Sequence, residues 1–238
     1  MLRRIPGLTR AAELDVLGAT GADEIAERVC AARADWRRRS PHAAFYTLGG
    51  NSYMDLAGSK DAEATYFRPA RDGNNELRHR FPDVYHRLSE CFADALGLRV
   101  RYPDDLALPG FHIWTGTSIP HSSGTSIHFD LQYRRIVERA AYAAATGTVS
   151  FTLPVKLPRS GSVLNVWPDV LHPAAPGTVA AARTTPPAVV RYRAGVAVVH
   201  SGLVLHQIGA TDSPAPDDLR ITLQGHGLVL GDELLLYW

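Results

Sequence analysis

The chain has 238 residues and a formal net charge of +1 with neutral histidines, so no global electric field draws it to nucleic acid or to an anionic membrane. Its length suits one domain, and no run of about 18 apolar residues predicts a transmembrane helix. The start, Met1 to Pro6, carries charge but no apolar signal core. We therefore expect no secretion and a cytoplasmic protein.

The first predicted elements are a helix and a short strand. Residues 22–37 place Ile25, Val29 and Ala32 at helical spacing, which predicts an amphipathic helix. The arginines at 37–39 are then interpreted as the solvated C-terminal end of that helix, where cations are favoured by its dipole. Residues 43–48 follow as a strand ending at two glycines.

A polar stretch and a second helix come next. Residues 67–80 contain Asp-Gly and Asn-Asn pairs and are predicted to be an exposed loop. Pro82 starts a helix that runs to Leu96 and ends at Gly97. The two cysteines, Cys30 and Cys91, lie beside or on apolar helix stripes, so we expect free, partly buried thiols rather than a disulfide.

From Leu106 onward the pattern changes to short strands separated by glycine- and proline-rich turns. This is typical of an antiparallel sandwich or jelly roll, so the fold class is mainly β with N-terminal helices. Pro154 lies inside one strand and predicts an edge or a bulge, whereas residues 134–146 fit either a short helix or an ordered flap. The predicted strands cover residues 111–114, 128–133, 148–157, 163–167, 188–192, 196–208 and 220–224.

One strand carries a histidine and a carboxylate two residues apart. Side chains alternate along an extended strand, so His128 and Asp130 project to the same side. Such a pair can bind one metal ion, and a second histidine would complete a facial triad of the kind that holds non-haem Fe(II). The tripeptide alone also fits a surface pair at a strand end, so the rest of the chain has to supply the third ligand.

Three histidines in the last third of the chain compete to be that ligand. His206 precedes Arg220 by one loop, so the two can lie on adjacent antiparallel strands, and this favours His206. His200 comes just before the turn at Ser201-Gly202 and is interpreted as a supporting, substrate-side or core residue. His226 lies well beyond Arg220 along its strand.

Arg220, Thr222 and Gln224 share one strand face, whereas Ile221 and Leu223 lie on the other, so Arg220 is predicted to point into an otherwise apolar interior. A buried arginine is costly unless it meets an anion, and its guanidinium matches a carboxylate bidentately. We therefore predict that Arg220 and Thr222 bind the far carboxylate of a small dicarboxylate. Asn165 could add a hydrogen bond to that molecule if its strand faces inward. His121 and His172 lie in loop-like segments and His112 on a strand, and they remain further candidates.

In this order, the histidine–aspartate pair, the distal histidine and Arg-x-Thr resemble the Fe(II)/2-oxoglutarate-dependent oxygenases over roughly residues 108–230. The resemblance implies a double-stranded β-helix core over 106–238. Residues 1–105 would form a helical and strand extension packed on that core, within one structural domain. The N-terminal residues carry no motif of the family.

The resemblance also implies an activity and its residues. His128, Asp130 and His206 would bind Fe(II) and form the catalytic centre, while Arg220 and Thr222, with Asn165, would bind 2-oxoglutarate. The enzyme would use O2 to hydroxylate an unactivated C–H bond of a small molecule, amino-acid-derived or a natural-product intermediate, and would release succinate and CO2.

Several alternatives stay open from the residues alone. Family members that halogenate lack the carboxylate, so Asp130 favours hydroxylation, desaturation or cyclisation. A cupin-type metalloprotein acting as an isomerase or hydrolase, or a metal-free jelly-roll ligand-binding protein, is the alternative function. We expect neither nucleic acid nor membrane as a partner, and the oligomeric state stays open.

Overall fold

The computed structural model of the protein describes residues 11–238, so the expectation drawn from Met1 to Pro6 lies outside the described residues. Strands dominate the chain after residue 98. In order, the strands are β1 (Ala12–Asp15), β2 (Arg37–Arg38), β3 (Phe45–Leu48), β4 (Arg99–Arg101), β5 (Gly110–Thr115), β6 (Gly147–Lys156), β7 (Val163–Leu171), β8 (Ala188–Arg191), β9 (Val196–His200), β10 (Val204–Ile208), β11 (Leu219–Leu230) and β12 (Glu233–Tyr237).

Most helical residues of the described part precede the strand-rich region. The α-helices are α1 (Gly18–Ala31), α2 (Arg68–Arg80), α3 (Pro82–Leu96), α4 (Tyr133–Val137) and α5 (Thr178–Ala182). Two π-helical turns, Ser52–Leu56 and Glu63–Phe67, lie between β3 and α2. Within residues 11–238, none of these helices has the length and apolarity to cross a bilayer.

The described strands form two sheets. The larger sheet has the order β1-β9-β6-β11-β5-β3-β2, with β12 pairing with both β11 and β4, and the smaller has the order β10-β7-β8. Every pair is antiparallel except β4 with β12. The architecture is thus that of an antiparallel jelly roll with helices, as the sequence predicts. Strands from both sides of residue 105 share the larger sheet.

Side-chain alternation on the larger sheet separates an apolar core from a polar cavity. On β5, Phe111 and Ile113 are fully buried against the helical layer, while His112 faces the cavity between the sheets. The helices α1 and α3 supply the opposing apolar faces, including Val29 and Leu88. Each fully buried side chain of this size contributes about 1.5–3 kcal/mol to folding, so this core anchors one wall of the cavity.

The predicted loop at 67–80 is wrong, because these residues form α2. Ala70, Asn74 and Leu77 are buried on one side of this helix although most of its other residues are polar. The Asn74 amide donates to the Leu106 carbonyl at 2.8 Å and accepts from the Leu108 amide at 2.8 Å. Asn74 is thus a buried polar residue that hydrogen-bonds to the main chain of residues 106 and 108. From polarity alone, such a residue is wrongly predicted to be exposed.

The predicted solvated helix end at the arginine run is also wrong. The helix α1 ends at Ala31, and Arg37 and Arg38 form β2 against β3. The side chain of Arg39 is only 4% exposed and forms a bidentate pair with the equally buried Asp55, at 2.6 and 2.8 Å. A buried carboxylate requires such a partner, so burial of Asp55 determines the position of Arg39.

Two further expectations need correction, and the alternatives left open at Pro154 and at residues 134–146 are resolved. Residues 128–133 form no regular strand, since only His128 makes a bridge, to His206. Cys30 is exposed rather than partly buried, although Cys91 is partly buried and both thiols are free. The bulge expected near Pro154 is present, in the interior strand β6 rather than at an edge. The ambiguous segment 134–146 contains α4 and a 3₁₀ turn.

Candidate active site

A cavity of about 300 Å³ lies between the two sheets. The larger sheet contributes His112, Ser150 and Gln224 to its wall, and the smaller sheet contributes Leu164 and His206. The segment that precedes α4 adds its own polar residues at one end.

His128, Asp130 and His206 converge at one end of the cavity. One ligand atom from each lies within 4.8 Å of the other two. The Nε2 atom of His128 is 3.6 Å from Asp130 Oδ1, and the Nε2 atom of His206 is 3.4 Å from Asp130 Oδ2. The structure therefore brings together the three side chains that the sequence nominates as metal ligands.

Main-chain hydrogen bonds set this spacing without a regular strand. His128 and His206 exchange reciprocal N–H···O bonds of 3.0 Å, and the Asp130 amide donates to the Gly202 carbonyl at 2.9 Å. Gly202 has φ +68°, and a Cβ there would lie 2.8 Å from Ser150 Oγ. Because of this left-handed conformation and close approach, the turn requires a glycine. The turn brings β10 beside the segment that contains Asp130.

The ring orientation of both histidines leaves Nε2 available as a ligand. The Nδ1 atom of His128 lies 2.9 Å from the Ser126 carbonyl, and that of His206 lies 2.9 Å from the Val204 carbonyl. A carbonyl only accepts, so Nδ1 carries the proton and the Nε2 lone pair points at Asp130. Metal-binding histidines are commonly held in this way by a second hydrogen bond.

The charge states suit a divalent transition metal. Burial by itself would raise the pKa of Asp130, but the imidazoles of His206, His128 and His226 hold it well below its usual range. Burial lowers the pKa of His206, so its ring is neutral. Burial lowers the pKa of His128, but the hydrogen bond and charge of the nearby Asp130 outweigh it, so that pKa is raised. A carboxylate with two imidazole nitrogens is the donor set of a facial triad.

His200 and His226 lie beside the triad without joining it. The His200 ring centroid is 4.4 Å from that of His206, and its Nδ1 accepts a hydrogen bond from the Gly202 amide at 3.1 Å. The His226 Nδ1 is 3.0 Å from Ser150 Oγ. The geometry therefore groups His206, rather than either competitor, with His128 and Asp130.

The reason given for choosing His206 is wrong, because His206 and Arg220 do not lie on adjacent strands. His206 is on β10 of the smaller sheet, whereas Arg220 is on β11 in the middle of the larger sheet. The loop between them crosses from one sheet to the other. A jelly roll places successive strands in opposite sheets, so sequence proximity does not imply pairing here.

Arg220 is a fully buried cation without a carboxylate partner in residues 11–238. Its Nε donates to Ser162 Oγ at 3.2 Å and its Nη1 to Thr222 Oγ1 at 3.4 Å, but Nη2 has no partner. Burial lowers its pKa, as expected for an isolated cation. An anion is the partner that relieves this cost.

Tyr192 completes this arrangement and was missed by sequence reasoning. Its ring lies 5.6 Å from the Arg220 guanidinium carbon and lines the cavity, and its buried hydroxyl has no hydrogen-bond partner. Burial raises the pKa of this phenol, so it remains a donor. Nothing in the sequence marks a tyrosine just after a short strand as special.

Asn165 does not reach the cavity. It pairs in register with Gln207 and donates to the Gln207 side chain at 3.1 Å. Leu164 and His206, the neighbouring residues on the two strands, face the cavity instead. The alternation of β7 therefore turns Asn165 to the other face of the smaller sheet, and the structure does not bring it to the candidate site.

Comparison with known proteins identifies the fold. No protein-family model matches the sequence, and no curated protein matches it significantly. A solved N-substituted L-amino acid dioxygenase from Burkholderia ambifaria AMMD has a similar structure, with TM-score 0.57, 14% identity, and coverage of 96% of this chain and 86% of that one. The dioxygenase in complex with alpha-KG, which is 2-oxoglutarate, gives TM-score 0.55 at 15% identity with the same coverage. This chain has the fold of the Fe(II)/2-oxoglutarate-dependent oxygenases.

Proposed function

We propose that the protein is a non-haem Fe(II)- and 2-oxoglutarate-dependent dioxygenase with a double-stranded β-helix core. Its proposed reaction is hydroxylation of an unactivated C–H bond in a small molecule, amino-acid-derived or a natural-product intermediate, with release of succinate and CO2. The observation that carries the proposal is the triad of His128, Asp130 and His206, whose donor atoms converge on one cavity. The shared fold supports the same reaction class.

The triad would hold the iron. Asp130 offers a carboxylate, and His128 and His206 offer Nε2 lone pairs that are fixed by their Nδ1 hydrogen bonds. When bound, Fe(II) supplies the activation of O2 that is coupled to oxidative decarboxylation of the keto acid. The protein's own contribution is to keep the His206 imidazole neutral and to exclude water around the buried carboxylate of Asp130.

Arg220, Thr222 and Tyr192 would bind the far carboxylate of 2-oxoglutarate. The unpartnered Nη2 of Arg220 and the unpartnered hydroxyl of Tyr192 provide two donors that protein groups leave unused. The Thr222 hydroxyl lies 3.4 Å from Nη1 and can turn to a ligand. A dicarboxylate that reaches this position would neutralise a cation that otherwise has no counter-charge.

The test is an anaerobic titration of the protein with Fe(II) and 2-oxoglutarate. A visible metal-to-ligand charge-transfer band should appear only when both are present, and it should be absent from Asp130→Ala. A protein that binds Fe(II) but shows neither the band nor 2-oxoglutarate binding would instead be a cupin-type metalloprotein. Failure to bind any divalent metal would leave a metal-free ligand-binding jelly roll. A screen for substrate-dependent succinate release then addresses the substrate.

A further inference from the structure

His112 forms a second polar feature in the wall of the same cavity, and the proposed metal centre does not use it. It lies on β5, is 8% exposed and lines the cavity. Its Nε2 is 3.2 Å from the side-chain nitrogen of Asn51, a residue 61 positions earlier in the chain. The question for a buried imidazole of this kind is which nitrogen carries the proton.

The surroundings of Asn51 answer that question. The Asn51 Oδ1 atom accepts from the amides of Tyr53 at 2.8 Å and Met54 at 3.1 Å. Two N–H donors fix the amide with its oxygen on their side, so its nitrogen faces His112. The Asn51 nitrogen therefore donates to Nε2 of His112, and the His112 proton resides on Nδ1.

A buried ion pair holds Asn51 in this position. The main-chain N–H of Asn51 donates to Asp55 Oδ2 at 3.0 Å, and Asp55 forms the bidentate pair with Arg39. Arg39 also donates to Thr47, the strand neighbour of His112 on β3. The whole chain of contacts fixes one ring nitrogen and leaves the other, Nδ1, without a hydrogen-bond partner among residues 11–238.

The His112 ring is neutral and lies among aromatic side chains. Burial, with the charges of Arg220 and Arg39, lowers its pKa to about 3. Phe45 and Trp238 each meet the ring edge-on at 5.0 Å, and Phe45 also stacks on Trp114 at 4.0 Å. Together these residues form an aromatic wall that includes the Nδ1–H donor of His112. Such a wall suits a flat or unsaturated ligand.

The charge of the cavity lining narrows the ligand further. Among the described residues that line it, there is no lysine or arginine, and Asp130 is the one carboxylate. The charge of Arg220 reaches His112, but 2-oxoglutarate would neutralise it, so a second carboxylate next to His112 would be desolvated without a free cation to pair with it. A free α-carboxylate on the substrate is therefore disfavoured at this wall, whereas a neutral carbonyl or ether oxygen is well matched to an N–H donor.

We propose that His112 is the substrate-recognition residue, donating from Nδ1 to an acceptor oxygen of an uncharged aromatic or otherwise flat substrate that packs against Phe45, Trp114 and Trp238. Asn51 is the positioning residue that sets the tautomer. The inference deepens the proposed function and rests on it. The substrate must therefore carry an acceptor oxygen, and the part of it that contacts this aromatic wall must be uncharged.

Binding of three matched probes to the metal-free protein tests this assignment, with saturating 2-oxoglutarate present to occupy Arg220. We choose 2-acetylnaphthalene, 2-isopropylnaphthalene and 2-naphthoate, followed by quenching of tryptophan fluorescence, since Trp114 and Trp238 line the cavity. The ketone should bind about fivefold or more tighter than the hydrocarbon, the effect of one hydrogen bond, and the carboxylate should bind weakest. His112→Phe should lose the preference for the ketone while it keeps affinity for the hydrocarbon.

The outcomes separate this inference from the proposed function. A ketone preference that survives His112→Phe, equal binding of the two neutral probes, no saturable binding, or tightest binding of the carboxylate would overturn the role of His112. The Fe(II)/2-oxoglutarate charge-transfer band of His112→Phe reports folding and the metal centre independently, and it should be unchanged. If that variant does not fold, ¹⁵N spectra of the parent decide the tautomer, and an Nε2–H form of His112 contradicts the proposal.

Discussion

His206 and His112 both line one cavity, and they differ in which ring nitrogen is held by a hydrogen bond to the protein. The Nδ1–H group of His206 donates a hydrogen bond to the Val204 carbonyl, so Nε2 is free of a proton on the side of Asp130. The side-chain amide of Asn51 donates to Nε2 of His112, so Nδ1 of His112 remains a donor. The same type of side chain is thereby prepared as a ligand in the proposed metal triad and as a hydrogen-bond donor at His112. The supporting residue decides the role of each histidine.

The largest effect is expected when one of the three proposed metal ligands is replaced. His206→Ala, His128→Ala and Asp130→Ala should each abolish turnover and lower Fe(II) affinity by more than about a hundredfold, the upper range for residues that only support a ligand. Equilibrium dialysis under anaerobic conditions measures the affinity. His200→Ala is the matched control, because its ring lies 4.4 Å from that of His206 yet makes no contact with Asp130 in the triad. Loss of iron from His200→Ala but not from His206→Ala would reverse the assignment.

The second prediction concerns the buried Arg39–Asp55 ion pair, which holds Asn51 beside His112. Asp55→Ala leaves Arg39 buried without its partner, and such a change costs about 3–5 kcal/mol in the free energy of unfolding. Urea denaturation measures it. Glu13→Ala serves as the control, since its pair with Arg193 is exposed and should contribute less than about 1 kcal/mol. Equal effects of the two variants would mean that the buried pair does not hold Asn51 in place.

The third prediction concerns the arginine behind the cavity. Arg220→Ala should weaken 2-oxoglutarate binding by about ten- to a hundredfold, because each hydrogen bond to a charged group contributes about 1.5–3 kcal/mol. Arg220→Lys should recover part of this, and Thr222→Val and Tyr192→Phe should each cost less than Arg220→Ala. Iron affinity, measured in parallel, should stay near that of the parent. Unchanged 2-oxoglutarate affinity in Arg220→Ala would place the carboxylate site elsewhere.

The smallest effect is expected at Asn165. Its amide pairs with Gln207 on the far face of the smaller sheet, so Asn165→Ala should change 2-oxoglutarate affinity by less than about threefold. The same titration used for Arg220→Ala measures it. A loss comparable to that of Thr222→Val would show that the smaller sheet turns this residue inward in solution.

Local patterns predicted the elements whose signals are local. Pro82 and Gly97 mark α3 as the structure has it, and Gly97 adopts the left-handed conformation at φ +65° that stops a helix. The shared side of His128 and Asp130 follows from extended backbone alone, and it survives although no regular strand forms. These features depend on residues close together in the chain, which is why a sequence is sufficient for them.

Contacts between distant residues were not predictable in the same way. The burial of Arg39 depends on Asp55, the donor on His112 depends on Asn51, and the proposed role of Tyr192 depends on the Arg220 guanidinium beside it. Each of these residues has an ordinary local context. Their roles depend on which polar groups contact each other in the folded protein. The periodicity of the sequence does not predict these long-range contacts.

The bridge between His128 and His206 has a consequence for the exchange of a metal ion at the proposed site. The segment before α4 is attached to β10 by few main-chain hydrogen bonds, two of which join these ligands to each other. Local opening there needs far less free energy than opening of β11, which is paired on both sides. We expect the His128 amide to exchange its hydrogen faster than the amides of β11. Ion release should keep pace with that opening rather than with global unfolding.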